Sequence, residues 1–185
     1  MLLFINAAVR PASRTERLAK ALLAKRGKDV VERRLDCTSL APLDRAALEK
    51  RTELVRRGAF DDESFALARE FAAADEIVIA APYWDLSFPA VLKTYLENVC
   101  VMGIASVYEE DGTPRGLCRA KKLWYVTTAG GKYIPDYSYG QIKALANGYF
   151  GIPETELVYA EYLDIVGCDP EQIMNDAIVA LGGVC

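Results

Sequence analysis

Residues 76–100 read EIVIAAPYWDLSFPAVLKTYLENVC, and this stretch decides the fold. Residues 76–81 form an almost wholly apolar run, at the length of a strand that is buried on both faces. Residues 89–100 then show helical spacing, and Pro89 suits the first turn of a helix because that position needs no N–H donor. A strand that leads into a helix through a short loop is the repeating unit of a parallel α/β sheet.

The same alternation extends to both sides of this unit. We predict strands at 2–7, 30–35, 76–81, 123–128 and 157–163 and helices at 15–25, 42–57, 64–74, 89–100, 139–150 and 170–181. Residues 107–117 contain the turn signal Glu110-Asp111-Gly112 and predict a β-hairpin. Five such strands imply a parallel sheet with helices on both faces. No repeat or linker interrupts the pattern, so we expect residues 1–185 to form a single domain.

Composition narrows the classes of function. With 52% hydrophobic and 26% charged residues and a formal net charge of -4, we expect a globular chain that binds no nucleic acid. No segment approaches the ~20 apolar residues of a membrane span, so we expect none. The five cysteines are scattered without a C-x-x-C pair, which is typical of free thiols in the cytoplasm, and we expect a mobile thiol at Cys185.

The chain contains no histidine. This excludes Ser-His-Asp and Cys-His mechanisms within one chain, and it removes the commonest transition-metal ligand, so we predict no metal site. If the protein is an enzyme, we expect its chemistry to come from an organic cofactor.

Three loops carry the candidate site residues, because ligands of open α/β sheets bind beyond the carboxyl ends of the strands. The loop after the first predicted strand contains Arg10, Ser13, Arg14 and Thr15. Hydroxyls and guanidinium groups beside the free N–H groups of a helix start favour an anion such as a single terminal phosphate. The alternative is that Ser13 only caps the helix.

The other two loops follow the third and fourth predicted strands. The first of them, with Pro82, Tyr83, Trp84 and Asp85, can lie along a flat ring, or it can be an aromatic cluster that covers the end of the sheet. The second contains paired glycines, which permit close approach of the backbone to a ligand but also occur in ordinary turns. Its candidate residues are Thr128, Ala129, Gly130, Gly131 and Tyr133.

The sequence resembles the flavodoxin-like NAD(P)H:quinone oxidoreductase family, which includes the FMN-dependent NADH azoreductases. The matching segments are 5–23, 81–100, 103–122 and 127–133. The family pattern P-[MY]-[YW]-N-x-x-x-P-x-x-L-K is read here as Pro82-Tyr83-Trp84-Asp85, followed by Pro89, Leu92 and Lys93. The resemblance implies a flavodoxin-like, doubly wound five-stranded sheet in the order 2-1-3-4-5.

The resemblance also implies a cofactor and a mechanism. FMN would place its phosphate on Ser13, Arg14 and Thr15 with Arg10 nearby, its ring against residues 82–85, and the far edge of the ring at residues 128–131. A hydride from NADH or NADPH would pass through flavin N5 to a quinone, azo or related aromatic acceptor by a ping-pong mechanism. The site would be completed by a second subunit of a homodimer.

Particular residues differ from the family pattern or carry a catalytic prediction. Asp85 replaces the usual asparagine, and its carboxylate either lowers the flavin potential or points elsewhere. Ala8 and Val9 replace a common Ser-Pro pair. We predict that the N–H groups of Gly130 and Gly131 stabilise charge on the reduced flavin, and that Tyr133 is the nearest active-site hydroxyl.

Three alternative functions remain open at this point. A flavodoxin-type carrier would bind FMN and pass single electrons to a protein partner. A free-flavin reductase would share the fold and differ only in its acceptor. A flavodoxin-like module without flavin would act in binding or regulation.

Overall fold

Five parallel strands form the central sheet of this computed structural model, which describes residues 1–27, 29–38 and 40–183. In chain order the strands are β1 (Leu2–Asn6), β2 (Val30–Arg34), β3 (Glu76–Ala80), β4 (Ser106–Tyr108), β5 (Pro114–Gly116), β6 (Lys122–Thr128) and β7 (Glu154–Ala160). The sheet has the order β2-β1-β3-β6-β7, while β4 and β5 pair separately as the predicted antiparallel hairpin. The predicted sheet order and the hairpin are therefore confirmed. Cys185 lies outside the described residues.

Six α-helices are found in the described part of the chain, and they lie on both sides of the sheet. They are α1 (Arg14–Arg26), α2 (Arg45–Arg56), α3 (Ala66–Ala73), α4 (Ala90–Val99), α5 (Tyr139–Leu145) and α6 (Pro170–Ala180). Side chains alternate along each strand, so Leu2 and Phe4 pack with α1 and α6, whereas Leu3 and Ile5 pack with α3, α4 and α5. The sheet thus separates two apolar layers.

Two predicted elements differ from the structure. The last strand is Glu154–Ala160 and not 157–163, because its polar first residues pair in register with β6 at the edge of the sheet. It ends early because Tyr162 has φ +64°, which no strand residue adopts. The helix predicted at 139–150 is α-helical only to Leu145 and continues as a π-helix, Ala146–Phe150.

Smaller differences concern where helices begin. The helix predicted from residue 42 begins at Arg45, because the side chain of Asp44 accepts a hydrogen bond of 2.8 Å from the N–H of Ala47 and so caps it. The helix predicted from residue 64 opens with a single 3₁₀ turn, Glu63–Phe65, before α3.

Candidate functional site

A cavity opens at the edge of the sheet where β1, β3 and β6 end. Its volume is about 410 Å³, within the range of roughly 300–1,000 Å³ that is usual for small-molecule sites. Its lining residues are Arg10, Pro11, Ala12, Ser13, Arg14, Thr15, Pro82, Tyr83, Trp84, Thr128, Ala129, Gly130, Leu163 and Asp164. All predicted site residues except Asp85, Gly131 and Tyr133 are among them.

The loop between β1 and α1 forms the polar end of the cavity. Asn6 is buried at the end of β1, and its side-chain oxygen accepts a hydrogen bond of 3.1 Å from the N–H of Ala8. Ala12 has φ +54°, so the loop makes a left-handed turn without glycine. Ser13 caps α1, since its hydroxyl accepts a hydrogen bond of 3.4 Å from the N–H of Glu16. The cap leaves other N–H groups of the first turn available to an anion.

Thr15 joins this loop to the end of β6. Its hydroxyl oxygen lies 2.6 Å from that of Thr128, and either hydroxyl can be the donor. Both residues line the cavity, and Thr15 is buried. Because the accepting hydroxyl of such a pair keeps its own proton, the pair still offers one donor to a ligand.

The loop after β3 forms an aromatic wall. The N–H of Tyr83 donates to the carbonyl of Thr128 at 3.1 Å, which holds the loop beside β6. Trp84 and Ser87 exchange backbone hydrogen bonds of 3.1 and 2.8 Å around a two-residue turn. The guanidinium of Arg10 lies over the ring of Trp84, 5.7 Å from Cζ to the ring centroid. The flat ring of Trp84 and the positive charge of Arg10 therefore lie side by side in the same wall of the cavity.

Asp85 and Tyr133 lie near the cavity but do not line it. Asp85 occupies the tip of the turn at φ +50°, a conformation that aspartate tolerates. Tyr133 packs edge-on against Tyr83 with 4.9 Å between ring centroids, and its hydroxyl lies 2.9 Å from that of Ser138. Burial raises the pKa of the Tyr133 phenol. The Tyr133 hydroxyl is therefore paired with Ser138 and does not line the cavity. Its ring supports that of Tyr83, which does.

The loop after β7 is a fourth wall, which the sequence analysis missed. The N–H groups of Leu163 and Asp164 donate to the carbonyls of Ala129 and Gly130, at 3.2 and 2.9 Å. Gly131, outside the lining, accepts a third hydrogen bond of 3.0 Å from the same loop. The signal that was available is the acidic Asp164 directly after the predicted last strand, but only the loops after three other strands were considered.

Charge in the cavity comes from two arginines and one carboxylate. Arg14 donates to the carbonyl of Leu163 at 3.0 Å and to Oδ1 of Asp164 at 2.9 Å. Arg10 makes no ion pair within the part of the chain that the structure describes. With the positive end of α1 beside them, these groups favour an anionic ligand.

A larger groove of about 720 Å³ lies elsewhere, among residues of α2, α4 and the hairpin. It lies away from the ends of the sheet strands and is lined by side chains such as Leu48, Met102 and Tyr108. Outside the few undescribed positions, no helix is long and apolar enough to cross a membrane. The described Cys, Asp and Glu side chains also form no group of three that could hold a metal ion.

The sheet order and the position of the cavity define an α/β protein of the doubly wound class. A family model described as flavodoxin-like fold matches residues 1–182. The chain belongs to this flavodoxin-like family.

Comparison with curated proteins finds relatives with a common name. The chain is 42% identical over 116 residues to FMN-dependent NADH:quinone oxidoreductase 2 of Clostridium acetobutylicum, a match that covers 60% of this chain and 58% of that protein. It is 41% identical over 113 residues to FMN-dependent NADH:quinone oxidoreductase of Clostridium beijerinckii, covering 60% and 57%. The match therefore spans less than two thirds of either relative.

Solved structures share the fold over nearly the whole chain. An azoreductase from Bacillus anthracis superimposes with a TM-score of 0.81 at 24% identity, covering 99% of this chain and 97% of that one. The NAD(P)H:quinone oxidoreductase from Methanothermobacter marburgensis gives a TM-score of 0.67 at 16% identity, covering 100% and 98%. At these identities the likeness concerns the fold.

Proposed function

We propose that the protein is an FMN-dependent oxidoreductase that transfers electrons from NADH or NADPH to quinone, azo or related aromatic acceptors. One observation carries the proposal: a helix start suited to a phosphate and a flat aromatic wall face the same cavity at the switch point of the sheet. The names of the curated relatives, FMN-dependent NADH:quinone oxidoreductases, support the same activity.

The residues of the cavity suit FMN. Ser13, Thr15 and the first N–H groups of α1 would hold the phosphate, as expected for a mononucleotide at a helix start. Pro82, Tyr83 and Trp84 would flank the ring, and the backbone of residues 128–130 would meet its far edge. When bound, FMN supplies the two-electron chemistry between the nicotinamide donor and the acceptor.

In this scheme the residues of the chain bind and orient the flavin, the nicotinamide donor and the aromatic acceptor. Tyr83 and Trp84 offer surfaces on which flat donors and acceptors can stack in turn, which fits a ping-pong order. The N–H groups of Gly130 and Gly131 remain the proposed stabilisers of negative charge. Tyr133 acts through Tyr83, which it contacts, because its hydroxyl is paired with Ser138.

Absorption spectra test the proposal directly. The purified protein is titrated with FMN, then with NADH without oxygen, and then with a benzoquinone or an azo dye. We expect bound flavin that bleaches in one two-electron step with NADH and regains its colour with the acceptor. Initial rates at several donor and acceptor concentrations should give parallel double-reciprocal lines.

Other outcomes separate the alternatives. A stable one-electron form would support a flavodoxin-type carrier, and turnover with free flavin alone would support a free-flavin reductase. A protein that binds no flavin would contradict all three flavin-based functions.

We also propose that the chain acts as a single domain in the cytoplasm and forms a homodimer that completes the site. The central sheet, whose strands span residues 2 to 160, supports the single domain. The half-buried or exposed thiols of Cys37, Cys100, Cys118 and Cys168 suit a reducing compartment. Sedimentation velocity of the FMN-loaded protein tests the dimer, and a monomer at micromolar concentration would contradict it.

A further inference from the structure

We propose that the ion pair of Arg14 and Asp164 is a positioning pair: it holds two walls of the cavity in place and so supports binding of any flavin, with or without a phosphate. Arg10 is then the arginine that favours FMN over a flavin without the phosphate. The proposal rests on the function proposed above, because flavin is the ligand it concerns. It reassigns Arg14, which sequence analysis placed among the phosphate contacts.

The Arg14 guanidinium lies against the loop after β7. Arg14 is the first residue of α1, yet its side chain reaches the loop after β7 and donates to both Leu163 and Asp164, at 3.0 and 2.9 Å. The carbonyl and the carboxylate together fix the direction of the planar guanidinium. Arg14 therefore joins two walls of the cavity.

Gly130 leaves space that the Asp164 side chain occupies. A Cβ atom at residue 130 would lie 2.4 Å from Oδ2 of Asp164, closer than any real contact allows. The Asp164 N–H also donates to the Gly130 carbonyl at 2.9 Å. The carboxylate thus lies between the glycine loop and Arg14, and a side chain at residue 130 would have to displace it.

The two arginines of the cavity differ in their charge partners. Because the carboxylate of Asp164 neutralises Arg14, the pair has little net charge with which to distinguish a phosphate from a neutral ligand. Arg10 lines the same cavity, lies over Trp84, and has no acidic partner among the described residues. A phosphate in the cavity would therefore gain more from Arg10 than from Arg14.

The experiment compares FMN with riboflavin, which lacks the phosphate. Dissociation constants for both ligands are measured by flavin fluorescence for the wild type, for Arg10→Met and for the charge-neutral double variant Arg14→Met/Asp164→Leu. We expect the double variant to weaken both ligands by the same factor, about fivefold. We expect Arg10→Met to weaken FMN about tenfold and to leave riboflavin unchanged.

A second ion pair on the same helix provides the matched control. Arg17 lies one turn after Arg14 and pairs with Glu171 at 2.6 Å, away from the cavity. The charge-neutral variant Arg17→Met/Glu171→Leu should bind both flavins like the wild type. If Arg14→Met/Asp164→Leu weakens FMN but not riboflavin, Arg14 contacts the phosphate and the proposal is wrong.

Amide hydrogen exchange tests the pair without any ligand. The Leu163 and Asp164 amides donate to the glycine loop, so we expect them to exchange at least about fivefold faster in Arg14→Met/Asp164→Leu than in the wild type. Unchanged exchange at these amides would overturn the positioning role. A wild-type protein that binds neither flavin would contradict the proposed function, while the exchange result would still decide whether the pair orders these walls.

Discussion

At the scale of single residues, close backbone contacts determine which side chains the structure accepts. Gly116 in β5 shows this most clearly, because a Cβ atom there would lie 2.0 Å from the backbone nitrogen of Gly151 and 2.3 Å from the carbonyl oxygen of Phe150. The hairpin therefore packs directly on the end of the π-helix, with no side chain between the two backbones.

We expect Gly116→Ala to lower the free energy of unfolding by about 2–4 kcal/mol, because backbone atoms, unlike a flexible side chain, cannot give way cheaply. Urea unfolding followed by far-UV circular dichroism measures the change. Gly148→Ala is the control, since a Cβ atom at Gly148 would meet nothing within 4 Å. Equal stability of the two variants would show that the hairpin can move away without cost.

Leu86 carries strain at the turn beside the cavity. Its φ of +66° follows the +50° of Asp85, so the two residues form a tight turn whose second position normally favours glycine. The side chain is 50% exposed and offers little packing in return.

We expect Leu86→Gly to raise the free energy of unfolding by about 1 kcal/mol by relieving this conformation. Leu48→Gly is the matched comparison, because Leu48 is 47% exposed but lies within α2. There glycine should cost about 1 kcal/mol. Thermal unfolding of both variants tests the expected opposite signs, and a destabilised Leu86→Gly would contradict the strain.

At the scale of elements, the sequence predicted the strands that carry apolar residues at or next to their start, including the exposed β2, and misplaced β7, which begins with three polar residues. Residues 76–81 are apolar because both faces of β3 are covered, so the pattern itself defined the strand. β7 begins with Glu154, Thr155 and Glu156 at the sheet edge, and its polar start did not read as a strand. The π-helix after α5 buries Ala146 and Phe150, which are four residues apart as on one face of an α-helix, so this spacing could not distinguish the two kinds of helix.

The candidate site was likewise predicted only in part. Residues in the loops after β1, β3 and β6 were predicted because the carboxyl ends of parallel strands must meet at one edge. Asp164 was missed because the prediction used only the loops after three other strands, although Asp164 directly follows the predicted last strand. The contacts of Tyr133 with Tyr83 and of Arg14 with Asp164 join loops far apart in sequence, and no local pattern encodes them.

A carboxylate in the first turn of α1 also makes the stability of the fold depend on pH. Glu16 accepts hydrogen bonds from Arg34 at 2.6 Å and Lys20 at 2.7 Å, and these lower its pKa from the usual 4.5 to about 2. A carboxyl with a lowered pKa stabilises the fold fully above its unfolded pKa, and this contribution is lost as the pH falls from 4.5 towards 2.

We therefore expect Glu16→Gln to be less stable than the wild type at pH 6 and to approach wild-type stability near pH 2.5. Urea midpoints across this range provide the measurement. Glu97→Gln is the control, because its pair with Lys93 is an exposed one within α4 and should contribute little at either pH. A difference that does not change with pH would exclude ionisation of Glu16 as its cause.

At the scale of the whole molecule, the packing of helices on the sheet controls access to the thiols. Burial raises the pKa of Cys100, and it raises that of Cys118 to about 12, whereas Cys37 and Cys168 are exposed. We expect iodoacetamide at pH 8 to label Cys37 and Cys168 first, and Cys118 more slowly by on the order of a hundredfold. Peptide mass spectrometry over time measures the labelling, and a urea-unfolded sample should remove the difference.

The contacts that close the cavity also determine when during folding it can form. The hydroxyls of Thr15 and Thr128 meet across 113 residues of chain, and Arg14 meets Asp164 across 150. Because closing so long a stretch of chain costs entropy, we expect these contacts to form after the intervening strands have docked. A nascent chain that lacks β7 and the loop after it would already contain all the residues predicted to contact the phosphate. Its cavity would still lack the wall that Leu163 and Asp164 form. If the cavity binds FMN as proposed, binding would then have to wait for residues 163 and 164, and chains shortened before them would stay empty.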